Sequence, residues 1–298
     1  MGPFDELMAA VGRLVASAEA LAALGARLRA DQEGIVLDPV VEAALDRAVA
    51  QLGLDLDGVD DQERMVAAMY ARAFLRQALD LLEDPGQAPG WIYEDPVILL
   101  SLGRASASIA TIIATIAPTL DGLDSALARD GAVFCDVGAG VGALSIALCR
   151  AWPGLRVVGL EPWHPSLRIA EREVSAAGLN DRIELRPIAV EDLTDRDAFD
   201  AVWLAGPFLP EPVIPIAIER AHAALRPGGW LLFGAYAAPP GQLAAELTAL
   251  RVVRSGGTPL VPELAVARLE HAGCLDVHLV ERSWQAPVEL VVGRRPGS

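Results

Sequence analysis

The chain has 298 residues, enough for one large domain or two modest ones, and its 53% hydrophobic content can supply a sizeable core. Asp and Glu number 40 against 24 Lys and Arg, a formal net charge of −16. Such a surface repels phosphate backbones and anionic lipid at long range, which argues against nucleic acid and membranes as partners.

The N-terminal segment MGPFDELMAA places acids where a signal peptide would carry basic residues, so no export is expected. No run of about 18 apolar residues without charge or breaker stands out. Residues 4–30 repeat apolar positions at three and four, which predicts an amphipathic helix, or two helices broken near Gly25. A second helix is predicted from DPVVEAALDRAVAQLG, with Asp38 as N-cap and Pro39 in the first turn. A third, longer one covers 60–83, and DPGQAPG then breaks the chain. Trp91 and Tyr93 follow the break. Asp95 is placed to cap a helix beginning at Pro96, PVILLSLGRASASIATIIATIA, which Arg104 interrupts. The absence of strand signals up to this point predicts a separate helical region over 1–125, with a cap or dimerisation role.

From about residue 131 strands alternate with helices, the pattern of a parallel sheet covered on both faces. VFCDV is the first strand, and ALSIALCRAW reads as a helix. Between them lie Gly138, Gly140 and Gly142. A strand, a glycine turn and a helix put main-chain N–H groups at a helix N-terminus, and glycine lets a ligand approach them closely. LRVVGLE is the second strand; its terminal Glu161, nineteen residues after Gly142, stands where an acid would accept from two ribose hydroxyls. The next helix, PWHPSLRIAEREVSAAGL, carries Pro162, Trp163 and His164 at its mouth. RIELRP is the third strand, followed by Ile188–Leu193, and FDAVWLAGPFLP is the fourth strand with its exit. After the helix VIPIAIERAHAAL, Pro227-Gly228-Gly229 turns the chain into WLLF. Two further helices, QLAAELTALR and ELAVARLEHAG, precede LDVHLVERS and VELVVGRR, which read as a hairpin.

The spacing Gly138-x-Gly140-x-x-Ala143 also fits a dinucleotide fingerprint. Asp136, two residues before the first glycine, is poorly placed beside a pyrophosphate and suits a cationic ligand. The run Asp136-x-Gly138-x-Gly140-x-Gly142, the acid at 161 and the PGG turn before an apolar strand resemble class I S-adenosylmethionine-dependent methyltransferases, over about 131–298. The resemblance implies a doubly wound, mostly parallel seven-stranded sheet closing with an antiparallel C-terminal strand, preceded by an all-α domain. The methyltransferase domain would cover 126–298. It implies S-adenosylmethionine as cofactor, held by Asp136, Gly138, Ala139, Gly140, Gly142, Glu161, Pro162, Trp163, Val190, Glu191 and Ala205, with Arg104 clamping its carboxylate. The acid usual in the loop after the third strand would align with Ala189, so Glu191, Asp192 or the main chain at Val190 would serve the adenine.

No Asp-Pro-Pro-Tyr or Asn-Pro-Pro-Tyr motif follows the fourth strand, where GPFLP stands. That favours a small, lipophilic acceptor methylated on oxygen, nitrogen or carbon over a nucleic-acid base. Candidate general bases are His164, Tyr93 and Tyr236; His222 reads as structural. The three cysteines, Cys135, Cys149 and Cys274, form no CxxC pair and share no metal-ligand spacing with the four histidines, so no metal is expected and a cytoplasmic setting is. Rival readings are a dinucleotide-dependent oxidoreductase and a non-catalytic S-adenosylmethionine-binding or dimeric scaffold.

Overall fold

The computed structural model describes residues 2–284 and 286–297. The chain divides into two compact units, one of residues 1–86 with 95–102, the other of 87–94 with 103–298.

The first unit is helical. Helix α1 (Pro3–Glu33) packs on α3 (Asp61–Glu83), with α2 (Pro39–Ala50) beside it. Gly25 does not break α1: a Cβ there would crowd the Ala71 methyl, so the glycine lets α1 approach α3 closely at that point. Asp38 caps α2 by accepting from the Val40 N–H (2.9 Å). Asp60 caps α3 through the Glu63 N–H (2.8 Å), and Glu63 reaches back to the Asp60 N–H (3.1 Å). Arg27 of α1 pairs with Asp46 of α2 at 2.9 Å. Along α1, Phe4, Leu7, Met8, Leu14 and Val15 stay exposed. By length and composition Pro3–Glu33 and Pro96–Thr119 are apolar enough to cross a membrane, although charges such as Arg13, Glu19 and Arg104 interrupt them, so neither is an uncharged apolar run of that length.

The helix predicted from Pro96 to about residue 117 is two helices, α4 (Pro96–Ala105) and α5 (Ala107–Ile116). At Gly103 a Cβ would run into the Val141 side chain, and the Gly103 carbonyl accepts from both the Ser106 N–H (3.0 Å) and its Oγ (2.6 Å).

The second unit holds a seven-stranded sheet in the order β3-β2-β1-β4-β5-β7-β6. Its strands are β1 (Val133–Val137), β2 (Arg156–Leu160), β3 (Ile183–Arg186), β4 (Phe199–Ala205), β5 (Leu225–Tyr236), β6 (Leu275–Leu279) and β7 (Val288–Arg294). β1 to β5 pair in parallel, and β7 runs antiparallel to both β5 and β6. Besides α5, helices α6 (Leu123–Ala128), α7 (Ala143–Ala151), α8 (His164–Ala176), α9 (Val213–Ala224), α10 (Gln242–Arg254) and α11 (Pro262–His271) belong to this unit. Side chains alternate between two cores. Phe134, Trp203 and Leu232 pack on one face with α5 and α7, while Cys135, Val202 and Phe233 pack on the other with α9 and α11. The PGG segment is not a turn preceding β5 but lies within it. Gly228 takes φ +81°, and the pairing with β4 shifts register between Phe199 and Ala201.

At the amino ends of the strands the buried Asp200 ties three segments together. It accepts from the Val133 N–H (2.8 Å) and Arg129 (2.7 Å), and it also pairs with Arg226. The order reverses between β1 and β4, so a crevice is expected outside their carboxyl ends, the opposite end from Asp200.

Candidate functional site

The turn between β1 and α7 carries three left-handed glycines, with φ +74° at Gly138, +58° at Gly140 and +79° at Gly142. They serve different ends. A Cβ at Gly138 would meet nothing within 4 Å, and one at Gly140 would meet only the Gly138 carbonyl at 3.9 Å. One at Gly142 would touch Ala170 and Val174 of α8. The first two glycines therefore border open space, while the third lies at ordinary contact distance from α8. The turn's own N–H groups are not left free as the sequence implied. Gly138 and Ala139 both donate to the Leu160 carbonyl at 2.9 Å, because the turn folds over the end of β2.

Glu161 follows β2 directly and is 7% exposed. Its carboxylate accepts from the Gly140 N–H and the Trp163 N–H, each at 2.7 Å. Each oxygen keeps a second lone pair for a hydroxyl donor. Burial raises this carboxyl to about 7; the two N–H donors oppose the rise without cancelling it. Asp136, in β1 beneath the turn, is 1% exposed. It accepts from the Ser145 Oγ at 2.7 Å, and burial raises it to about 6. Ser145 is a partner the sequence reading missed. Its signal was a hydroxyl in an otherwise apolar stretch of α7, on the face turned toward β1.

Around this pair the remaining predicted residues fall as follows. Pro162 is exposed and Trp163 half-buried at the entry to α8. Val190 begins the 3₁₀ turn Val190–Asp192 after β3, its side chain in the core, with Glu191 half-buried beside it. Ala205 ends β4 and leads into the 3₁₀ turn Gly206–Phe208. Arg104 lies on the surface near the end of α4, paired with Glu173 of α8 at 3.4 Å. Of the candidate bases, His164 is exposed at the first residue of α8, and Tyr93 is buried. Tyr236 is half-buried at the end of β5, its hydroxyl donating to the Ala245 carbonyl at 2.9 Å. His222 lies on α9, where burial lowers it from its ordinary value.

An apolar aromatic group adjoins the rim. Trp91 packs edge-on against Tyr93 (centroids 5.3 Å) and against Phe208 (5.8 Å). Phe208 is 57% exposed yet rigidly based: Cβ atoms at Gly206 and Gly257 would each collide with neighbouring main chain. A groove of about 610 Å³ lies elsewhere, at the amino ends of the strands, lined among others by Val133, Arg156, Ile183 and Arg186. Arg186 there is already paired with Glu184 and Asp195. No group of three or more potential metal-ligating side chains occurs among the described residues.

Comparison with known proteins places this geometry. Residues 134–229 match a family model described as a methyltransferase domain. The demethylmenaquinone methyltransferase of Thermus thermophilus is 33% identical over 118 residues, 40% of this chain and 53% of that protein. A ribosomal RNA small subunit methyltransferase H from Parafrankia sp. is 38% identical over 73 residues, 24% of this chain and 22% of that protein. The chain thus spans about half the length of one curated relative and about a fifth of the other. Among solved structures, an O-methyltransferase family protein from Burkholderia thailandensis superposes with TM-score 0.67 at 16% identity, covering 100% of this chain and 99% of that one. Human N-acetylserotonin methyltransferase, solved in complex with S-adenosylmethionine, gives TM-score 0.59 at 16% identity, with 100% of each chain covered. Strand order and glycine turn are in keeping with the match of residues 134–229 to a methyltransferase-domain model, and the solved structures share the fold of the whole chain.

Proposed function

We propose that the protein is an S-adenosylmethionine-dependent methyltransferase acting on oxygen, nitrogen or carbon of a small lipophilic molecule. The observation that carries the reading is the Glu161 carboxylate, buried at the carboxyl rim, braced by the Gly140 and Trp163 N–H groups and adjoining a glycine turn with open space at Gly138. Such an acceptor fits a ribose diol, and the absence of a Cβ at 138 and 140 leaves room for the rest of the ligand.

When bound, S-adenosylmethionine supplies an electrophilic methyl group on a sulfonium. In this reading Glu161 accepts from the ribose hydroxyls. The main chain at Val190, with Glu191, Pro162 and Trp163, borders the adenine. Gly138, Ala139, Gly140, Gly142 and Ala205 flank the amino-acid end, and Asp136 beneath the turn adds negative potential toward its cation. Arg104 would reach the ligand's carboxylate only by leaving Glu173. The Trp91–Phe208 pair offers an apolar wall that excludes water from a lipophilic acceptor. Holding nucleophile and methyl in line is then the main contribution to rate. His164, exposed at the mouth of α8, is the first base to test; the Tyr236 hydroxyl already donates to a carbonyl.

The apolar stripe of α1 supports a homodimer formed through the N-terminal helices. The three cysteines are free and buried, which fits the cytoplasm. Calorimetric titration with S-adenosylmethionine and with NAD tests the cofactor. Mass spectrometry of small phenols, amines and quinols incubated with enzyme and S-adenosylmethionine tests the transfer, read as a gain of one methylene. Retention of NAD alone would overturn the proposal.

A further inference from the structure

Residues 87–94 interrupt the helical unit in sequence and belong to the methyltransferase unit. They form a strap held at both ends. At one end the Gly90 N–H donates to the Arg254 carbonyl (3.0 Å), and the Arg254 guanidinium donates to Gln87 Oε1 (3.1 Å). At the other, the Trp163 indole Nε1–H donates to the Tyr93 carbonyl (2.8 Å). Between these anchors Trp91 rests against Phe208.

The anchors differ in what they adjoin. Arg254 ends α10. Trp163 adjoins the candidate donor site: its own main-chain N–H donates to Glu161 Oε1, while its ring donates to the strap. One residue therefore touches both the carboxylate assigned to the ribose and the segment carrying Trp91 and Tyr93.

Resting on the methyltransferase reading above, we infer that Trp163 is a positioning residue that couples occupancy of the donor site to seating of the 87–94 strap over the acceptor. Ribose hydroxyls on Glu161 hold it as a carboxylate. The carboxylate fixes the Trp163 N–H and with it the entry to α8. The indole direction is then set, and the Tyr93 carbonyl keeps its donor. Donor binding seats the strap, and the acceptor meets a completed wall only afterwards. The consequence is ordered binding, donor first.

The test is amide hydrogen exchange of peptides covering 87–94, with and without S-adenosylhomocysteine, on wild type, Trp163→Phe and Gln87→Ala. Trp163→Phe keeps an aromatic ring and removes the N–H. Gln87→Ala loosens the far anchor and leaves Trp163 intact. Wild type and Gln87→Ala are expected to gain protection at 91–94 on ligand addition, and Trp163→Phe to gain none. In steady-state kinetics, Trp163→Phe should raise the acceptor KM about 2- to 10-fold, the range one neutral hydrogen bond carries. Equal protection in Trp163→Phe and wild type would overturn the coupling. So would wild type that binds the ligand yet gains no protection, a result that needs no variant to fold. Wild type that fails to bind S-adenosylhomocysteine in parallel calorimetry would instead overturn the methyltransferase reading itself.

Discussion

Asp136→Asn separates the folding cost of the site from its use. The Asp136 carboxyl is 1% exposed and is moved by burial from its ordinary 3.8 to about 6. At about 1.4 kcal/mol per pH unit, ionising it inside the fold opposes stability by about 3 kcal/mol above that value. The sign follows from proton uptake. The folded state holds this proton more tightly than the unfolded chain, so the group's contribution is fully favourable below about 3.8 and is lost as pH rises through about 6. Asp136→Asn keeps an acceptor for Ser145 and cannot ionise. Any pH-independent cost of the amide cancels when the variant is compared with wild type across pH. Its stability relative to wild type should therefore rise by roughly 1 kcal/mol between pH 5 and pH 8, the part of the loss that develops in that window. Urea unfolding at pH 5, 6, 7 and 8, with linear extrapolation, measures this directly. A difference that stays flat or narrows as pH rises would refute the assignment of a buried, ionising carboxyl beneath the turn.

Three other expectations follow from the same geometry. With Glu161 raised to about 7, donor affinity in wild type should fall by up to about tenfold from pH 8 to pH 6 relative to Glu161→Gln, measured by calorimetry; parallel pH profiles would contradict the ribose role. Phe134, fully buried in β1, should cost about 3–5 kcal/mol as Phe134→Ala in urea unfolding, and a loss below about 1 kcal/mol would mean the core collapses around it. Gly103→Val places a branched side chain against Val141, so it should lower stability by about 1–3 kcal/mol and disturb the glycine turn, visible as weaker donor binding; unchanged melting and binding would show that the Gly103–Val141 approach is dispensable.

The candidate site was legible where the chemistry is local. A strand, a glycine turn and a helix follow one another within residues 133–151, and Glu161 stands at the end of the next apolar strand, so residue order alone marked the turn and its acid. The sheet's two-sided burial showed in near-continuous apolar runs, because a strand covered on both faces has no polar alternation to display. Periodicity could not divide α4 from α5. Both halves are apolar at helical spacing, and the break lies at Ser106, whose N–H and Oγ donate to the Gly103 carbonyl. Nor could it separate the three glycines. All look alike in sequence, and only neighbours from α8 distinguish Gly142 from the two that border open space.

What the amino-acid order determined by itself, then, is the succession of elements and the types of residue at their ends, because backbone preference and hydrophobic spacing act over a few residues. Tertiary structure alone decided which partners those ends acquire: Ser145 beneath Asp136, Gly140 and Trp163 around Glu161, and the Tyr93 carbonyl on the Trp163 indole. Those contacts join residues up to 70 positions apart, and their hydrogen bonds exist only once the sheet order and helix packing have brought the segments together.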